Sequence, residues 1–292
     1  MSEEYIEIPQ ITAQTEPLQE QGQNEDQPNP SGGETINNNQ EVVTPKVGET
    51  QYVYAPDPMQ ELISCKNVYI KQEPASLFVS CESQNRFLVF AESVEGGAKL
   101  LFKCKENSGC CMRTFCTANN RSFNMILKHI TTSADLDENF SKTFVDILKP
   151  FKCTCFCLAR PEMVVRFGGG DKQCLGIIRE PFSCCDPVFP IYDEKGELKY
   201  NIHADCCQCG LIFNNTCCGK LSEVLFNIFE LSNPVGSIVK KRATSNELFS
   251  TADSYQINFP SEATPTDKML LIAAGLMIDY QYFEDLPSKN DG

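Results

Sequence analysis

From Asn67 onward, short runs rich in Val, Ile, Phe and Tyr alternate with polar residues and are divided by Gly, Asn and Asp. That period of two marks half-buried strands. Three hairpins are expected: Arg86–Ala91 with Ala98–Cys104 across Gly96-Gly97, Met163–Phe167 with Cys174–Arg179 across Gly168-Gly169-Gly170, and Val188–Tyr192 with Leu198–His203 across Asp193-Glu194-Lys195-Gly196. Further strands are expected at Leu77–Cys81, Arg113–Thr117, Ser122–Ile130, Thr143–Leu148, Glu223–Phe229, Val235–Lys241 and Tyr255–Phe259. About a dozen strands at this spacing specify a mostly β chain, either a sandwich or a barrel. A short helix over Met59–Cys65 leads into them.

The period changes only near the end. Residues 267–285 form the one long helical signal, with Thr266 or Asp267 able to cap its start and Pro287 stopping it. It is apolar on every face from Met269 to Ile278, so it must be enclosed. A bilayer span would need roughly 20 residues and would have to include Asp279, Gln281, Glu284 and Asp285. One central Asp costs about 2.5–3.5 kcal/mol against about 0.3–0.6 gained per Leu, Ile or Phe, so a core helix is expected rather than a membrane span. Leu271, Ala274, Gly275 and Ile278 are the positions expected to meet strand side chains.

An internal echo suggests what encloses it. Cys110-Cys111 with Phe115 and Asn119 recurs as Cys184-Cys185 with Phe189 and Asp193, and Phe123, Met125 and Leu127 answer Leu198, Tyr200 and Ile202. Two halves that cannot close alone suggest one barrel built by duplication, with the helix as its filler.

Composition divides the chain differently. Residues 1–60 hold eleven acids and one base, Lys46, so they carry −10 of the net −14 and leave −4 for the rest. Residues 1–58 are expected to be a disordered acidic tail, residues 59–286 the folded domain, and 287–292 a short disordered end. The acidity argues against nucleic acid as a partner and leaves the tail as a place for protein partners. No secretory signal pattern opens the chain, so the 17 cysteines are expected in a reducing compartment, with lipidation, metal binding or burial to explain them.

From Met59 to Asp285 the chain resembles the phospholipid scramblases. The cues are Cys110-Cys111 followed by Arg121–Leu127, the Lys149–Cys157 segment, Gly176–Pro181, Val235–Lys240, Ala252–Pro260 and the terminal Ile278–Glu284. The resemblance implies a tubby-like closed β-barrel around a buried C-terminal helix. It also implies ATP-independent, bidirectional movement of phospholipids at the plasma membrane, calcium control and thioester-linked palmitate. Cys153, Cys155 and Cys157 match the family's acylated cluster, with Phe156, Lys149, Lys152 and Arg160 around them; a cysteine-rich strand edge is the plain alternative.

The family's calcium segment falls on Thr251–Glu262, where Thr251, Asp253 and Glu262 supply oxygens, but Gly is missing from the sixth position and Tyr255, Ile257 and Phe259 alternate as in a strand. Cys206, Cys207, Cys209, Cys217 and Cys218 lack a second C-x-x-C, so burial or acylation suits them better than zinc. His129 and His203 fall on strands as ordinary packed residues. Lys240-Lys241-Arg242 sits where the family can carry a nuclear-import signal, against the alternative of a solvated strand end. The chain has no H-E-x-x-H, G-x-S-x-G or P-loop, so transport or binding is expected rather than covalent catalysis. The rival function is a membrane-tethered lipid-binding adaptor or nuclear regulator without transport.

Overall fold

Alternation turns the apolar member of each strand pair inward, and closure of the sheet follows. The computed structural model describes residues 53–55, 57–73, 84–92, 98–116, 120–132, 143–152, 159–168, 173–213, 222–241 and 254–284. Its strands are β1 (Val53–Tyr54), β2 (Asn67–Gln72), β3 (Arg86–Glu92), β4 (Ala98–Asn107), β5 (Phe123–His129), β6 (Thr143–Lys149), β7 (Glu162–Phe167), β8 (Cys174–Arg179), β9 (Val188–Asp193), β10 (Leu198–His203), β11 (Val224–Glu230), β12 (Asn233–Lys240) and β13 (Ser254–Asn258). Each strand from β2 to β13 pairs antiparallel with the next, and β13 closes on β2 through Tyr255 opposite Ile70 and Ile257 opposite Val68. The result is a closed twelve-stranded antiparallel barrel, with β1 added in parallel to the start of β4. Closure leaves the barrel no free edge.

Inward positions such as Val68, Ile70, Phe87, Val89, Met125, Leu127, Val165, Ile178, Phe226 and Ile257 form one cluster with the terminal helix α4, Pro265–Ile278. Leu271, Ala274 and Ile278 are fully buried, and Gly275 lies where an added Cβ would sit 3.2 Å from Ile257 and 3.3 Å from Ile70. The helix follows β13, enters at the end where that strand finishes and runs about 21 Å through the lumen. Among the described residues no helix is long and apolar enough to cross a membrane; strands are a separate matter.

Several expectations are corrected. The helix is capped by Thr264, not by Thr266 or Asp267: Pro265 takes the first turn, and Asp267 closes a capping box by accepting from the Thr264 backbone N–H at 2.9 Å. The regular helix ends at Ile278, and Asp279–Phe283 form a π-helical turn closed by the Glu284 N–H bonding to the Asp279 carbonyl at 3.0 Å. Of Arg113–Thr117, expected as a strand, residues 113–115 belong instead to helix α2, Cys110–Phe115, and Cys116 caps it, because periodicity cannot separate helix from strand in so short a run; Thr117 lies outside the described residues. Strand β2 takes the twelfth place in the barrel. The expected strand Leu77–Cys81 lies outside the described residues. The echo does not become a structural repeat, since Cys110-Cys111 open a helix whereas Cys184-Cys185 lie on the connection before β9.

Helix α1, Pro58–Ser64, sits at the entry end, capped by Asp57, which accepts from the Met59 N–H at 2.9 Å. Lys268, in the first turn of α4, donates to the carbonyls of Leu62 at 2.7 Å, Ile63 at 3.3 Å and Cys65 at 2.9 Å. A buried ammonium thus satisfies the orphan carbonyls that end α1. Lys268→Met is expected to cost about 2–4 kcal/mol and to raise amide exchange in α1 more than in the barrel strands. An unchanged urea midpoint with slow α1 exchange would show that the lysine is dispensable.

Candidate functional site at the cysteine-rich end

Strand direction places the cysteines. The connections that follow β4, β8 and β10 leave and return at the end where α4 exits, and among the described residues they hold eight cysteines, against three elsewhere. The other three are Cys65, Cys104 and Cys174. Cys65 and Cys104 are buried, and burial raises both thiols, that of Cys65 to about 11. By contrast, Cys110, Cys111, Cys184, Cys185, Cys207 and Cys209 are exposed at the exit end. Exposed apolar side chains share it: Phe151, Phe182, Ile212 and Phe213. The cations there are largely paired, Lys152 with Glu162 at 2.9 Å and Lys241 with Glu223 at 3.8 Å.

Beneath this surface the lumen is closed by charge. Three strands running toward the exit finish on a buried polar residue, Gln72, Lys149 or Lys240, β4 carries buried Glu106 one residue before its end, and Glu180 follows β8 directly. The end of the central helix reaches each wall in turn. Asp279 accepts from the Tyr255 hydroxyl at 2.7 Å, Tyr280 donates to Glu106 at 2.8 Å, and Tyr282 donates to Glu180 at 2.8 Å. Phe283 lies under the Lys240 ammonium at 4.5 Å, and Glu284 pairs with Arg121. The same guanidinium binds Glu106 at 3.1 Å, while Lys149 donates to the Arg121 carbonyl at 2.9 Å.

One guanidinium therefore serves two buried carboxylates. Burial raises Glu284 to about 8, and Arg121 offsets this only in part. Burial also lowers Lys149 to about 8, with Arg121 adding to the effect, and raises Glu180. The sequence carried a signal for this cluster that strand patterning alone passed over: a polar residue in the inward register at the exit end of successive upward strands.

A second cluster lies outside the barrel wall. Asp186 accepts from the Cys206 N–H at 3.0 Å and contacts His203 Nε2 at 3.1 Å. Those contacts, led by the Cys206 N–H, hold its carboxyl below the usual range, and the neighbouring carboxylate in turn raises the Cys206 thiol to about 12. His203 is thus held by Asp186 as well as packed edge-on against the Phe229 ring.

Of the other expected residues, Cys153, Cys155, Cys157, Thr251, Asp253, Cys217, Cys218 and Arg242 lie outside the described residues. Glu262 is exposed in the turn before α4. Within the Thr251–Glu262 segment, Ser254–Asn258 form strand β13, paired on both sides with β12 and β2. Lys240 is buried against Phe283 and is not a solvated strand end.

A closed antiparallel barrel threaded by its own C-terminal helix is a tubby-like barrel. The Scramblase family profile matches residues 48–285. The chain is 24% identical to phospholipid scramblase 4 of Homo sapiens over 260 residues, covering 86% of this chain and 71% of that protein. It is 24% identical to phospholipid scramblase 1 of Homo sapiens over 239 residues, covering 80% and 68%. The chain belongs to the scramblase family.

Proposed function

We propose that this protein moves phospholipids between bilayer leaflets in both directions without ATP, at the cytoplasmic face of the plasma membrane. The observation that carries the reading is the gathering, among the described residues, of eight cysteines and four exposed apolar side chains at one end of a scramblase-family barrel. That end faces lipid. Cys153, Cys155 and Cys157 carry palmitate, each buried methylene of an acyl chain contributing about 0.8 kcal/mol, so two or more chains are needed for stable anchoring. Because Lys152 and Lys241 are occupied by Glu162 and Glu223, acyl chains and inserted Phe side chains hold the membrane more than charge does.

The test is reconstitution of the purified protein in vesicles labelled on both leaflets, with the outer label quenched in the presence and absence of calcium. Loss beyond the outer half supports transport, and loss limited to it leaves the tethered lipid-binding adaptor. The filled lumen favours that second reading, because helix and polar plug leave no lipid path through the barrel interior. Residues 254–258, within the calcium segment that the resemblance implies, are strand β13, so equal rates with and without calcium are expected. A nuclear pool gains nothing from Lys240, which lies inside the barrel. In cells, the Cys153/Cys155/Cys157→Ser variant is expected to move to the soluble fraction; retention on membranes would assign the anchor elsewhere.

A further inference from the structure

The turn between β10 and α3, Cys209–Ile212, is pinned from three sides. Gln208 accepts from the Leu225 N–H at 2.7 Å and donates to the Leu225 carbonyl at 2.9 Å, which fastens the turn to β11. Asp186, from the β8–β9 connection, accepts the Cys206 N–H at 3.0 Å, and its other oxygen meets His203 at the end of β10. Asp205 closes the turn internally by accepting the Cys207 N–H at 2.8 Å. These tethers aim two adjacent thiols at the same space, with Cys206 Sγ and Cys207 Sγ 4.0 Å apart. In an extended strand, neighbouring side chains point to opposite faces and could not do so. The ligand atoms of Asp205, Cys206 and Cys207 all lie within 4.8 Å of one another.

We propose that Asp205, Cys206 and Cys207 bind a thiophilic divalent cation of the zinc class, with Asp186 and His203 positioning the turn. A tetrahedral zinc with Zn–S bonds of about 2.3 Å would hold two sulfurs about 3.8 Å apart, a few tenths of an ångström from the distance already present. Two sulfurs and one carboxylate are a borderline-soft donor set, and they leave the fourth position to water or an incoming ligand. Charge points the same way. Two carboxylates and two thiols converge here, and among the described residues His203 is the one basic group that pairs with them. A bound cation would displace both thiol protons to solvent and hold the two thiolates and the Asp205 carboxylate around one positive centre. Cysteine spacing alone offers no second C-x-x-C for zinc, and the fold supplies the Asp205 carboxylate beside Cys206 and Cys207 instead.

The test uses the full chain, reduced and stripped with a chelator, then titrated with cobalt(II). The expected result is one equivalent with a thiolate-to-cobalt charge-transfer band, displaced by zinc. It should be lost in Cys206→Ser and in Cys207→Ser, and weakened tenfold or more in Asp205→Ala. Asp186→Asn should weaken binding by about 10–100-fold with the band shape kept, as expected for a group that positions ligands. The double variant Cys184→Ser/Cys185→Ser should bind as the parent does. A band that survives Cys206→Ser, or that disappears in the Cys184/Cys185 variant instead, overturns the assignment. An unchanged urea midpoint for Cys206→Ser in the absence of metal separates lost coordination from lost folding.

Discussion

Arg121→Met is expected to destabilise the protein by about 3–5 kcal/mol, the cost of leaving buried carboxylates without their cation. Glu106 and Glu284 both depend on that guanidinium, and neither can reach water without opening the exit end of the barrel. Adding Glu106→Gln to the Arg121 variant should recover part of the loss, because a buried carboxylate is then removed together with its partner. Equal urea midpoints for wild type and Arg121→Met would show that the cluster is solvated in solution.

The same cluster sets a pH dependence with a defined sign. Glu284 is raised from 4.5 to about 8, so the folded protein holds a proton that the unfolded chain has released. Its contribution to stability is complete below about pH 4.5 and is lost as pH rises through 8. Glu180 is raised as well and acts in the same direction. Lys149 is lowered from 10.5 to about 8, so its penalty is complete below 8 and is relieved as pH climbs toward 10.5. This cluster therefore gives a stability minimum near pH 8. Glu284→Gln carries no charge at any pH, so its stability relative to wild type should grow by several kcal/mol between pH 5 and pH 8. Parallel curves for the two proteins would mean that Glu284 holds no proton.

Gly176→Val carries the other large effect. On β8, an added Cβ at Gly176 would sit 2.3 Å from the Tyr192 carbonyl oxygen and 3.0 Å from both terminal methyls of Leu270 on the central helix. The methyls can rotate away, but the carbonyl belongs to the paired strand β9 and cannot move without breaking the ladder. A loss of at least about 3 kcal/mol, or failure to fold, is expected from overpacking of this kind. Leu270→Ala in a Gly176→Ala background should restore only part of it. Gly275→Ala is the matched control: its nearest contacts are terminal Ile methyls at 3.2 and 3.3 Å, which can yield, so a cost of roughly 1 kcal/mol is expected. If both glycine variants melt alike, the close approach of β8 to the helix is not what Gly176 provides.

The β8 and β10 boundaries, Cys174–Arg179 and Leu198–His203, were legible because alternation and flanking turn residues are local properties of the chain. The buried nature of α4 was legible too, since ten apolar residues followed by Asp279 satisfy a protein interior and fail a bilayer. Helix α2 was not, because six residues are too few for either period to declare itself. Nor was the exit plug, where Glu106, Lys149 and Lys240 look in sequence like solvated strand ends. Arg121 and Glu284 stand 163 positions apart, and only closure of the barrel brings them together. Asp186 meets His203 and Cys206 more locally, because the β9–β10 hairpin sets the residues just before β9 beside the end of β10. Residue periodicity by itself determined the strands, the antiparallel hairpins and a helix that had to be enclosed. Which end of the barrel gathers the cysteines, and which distant charges meet inside it, was decided by tertiary structure alone, because strand direction and closure are properties of the whole sheet.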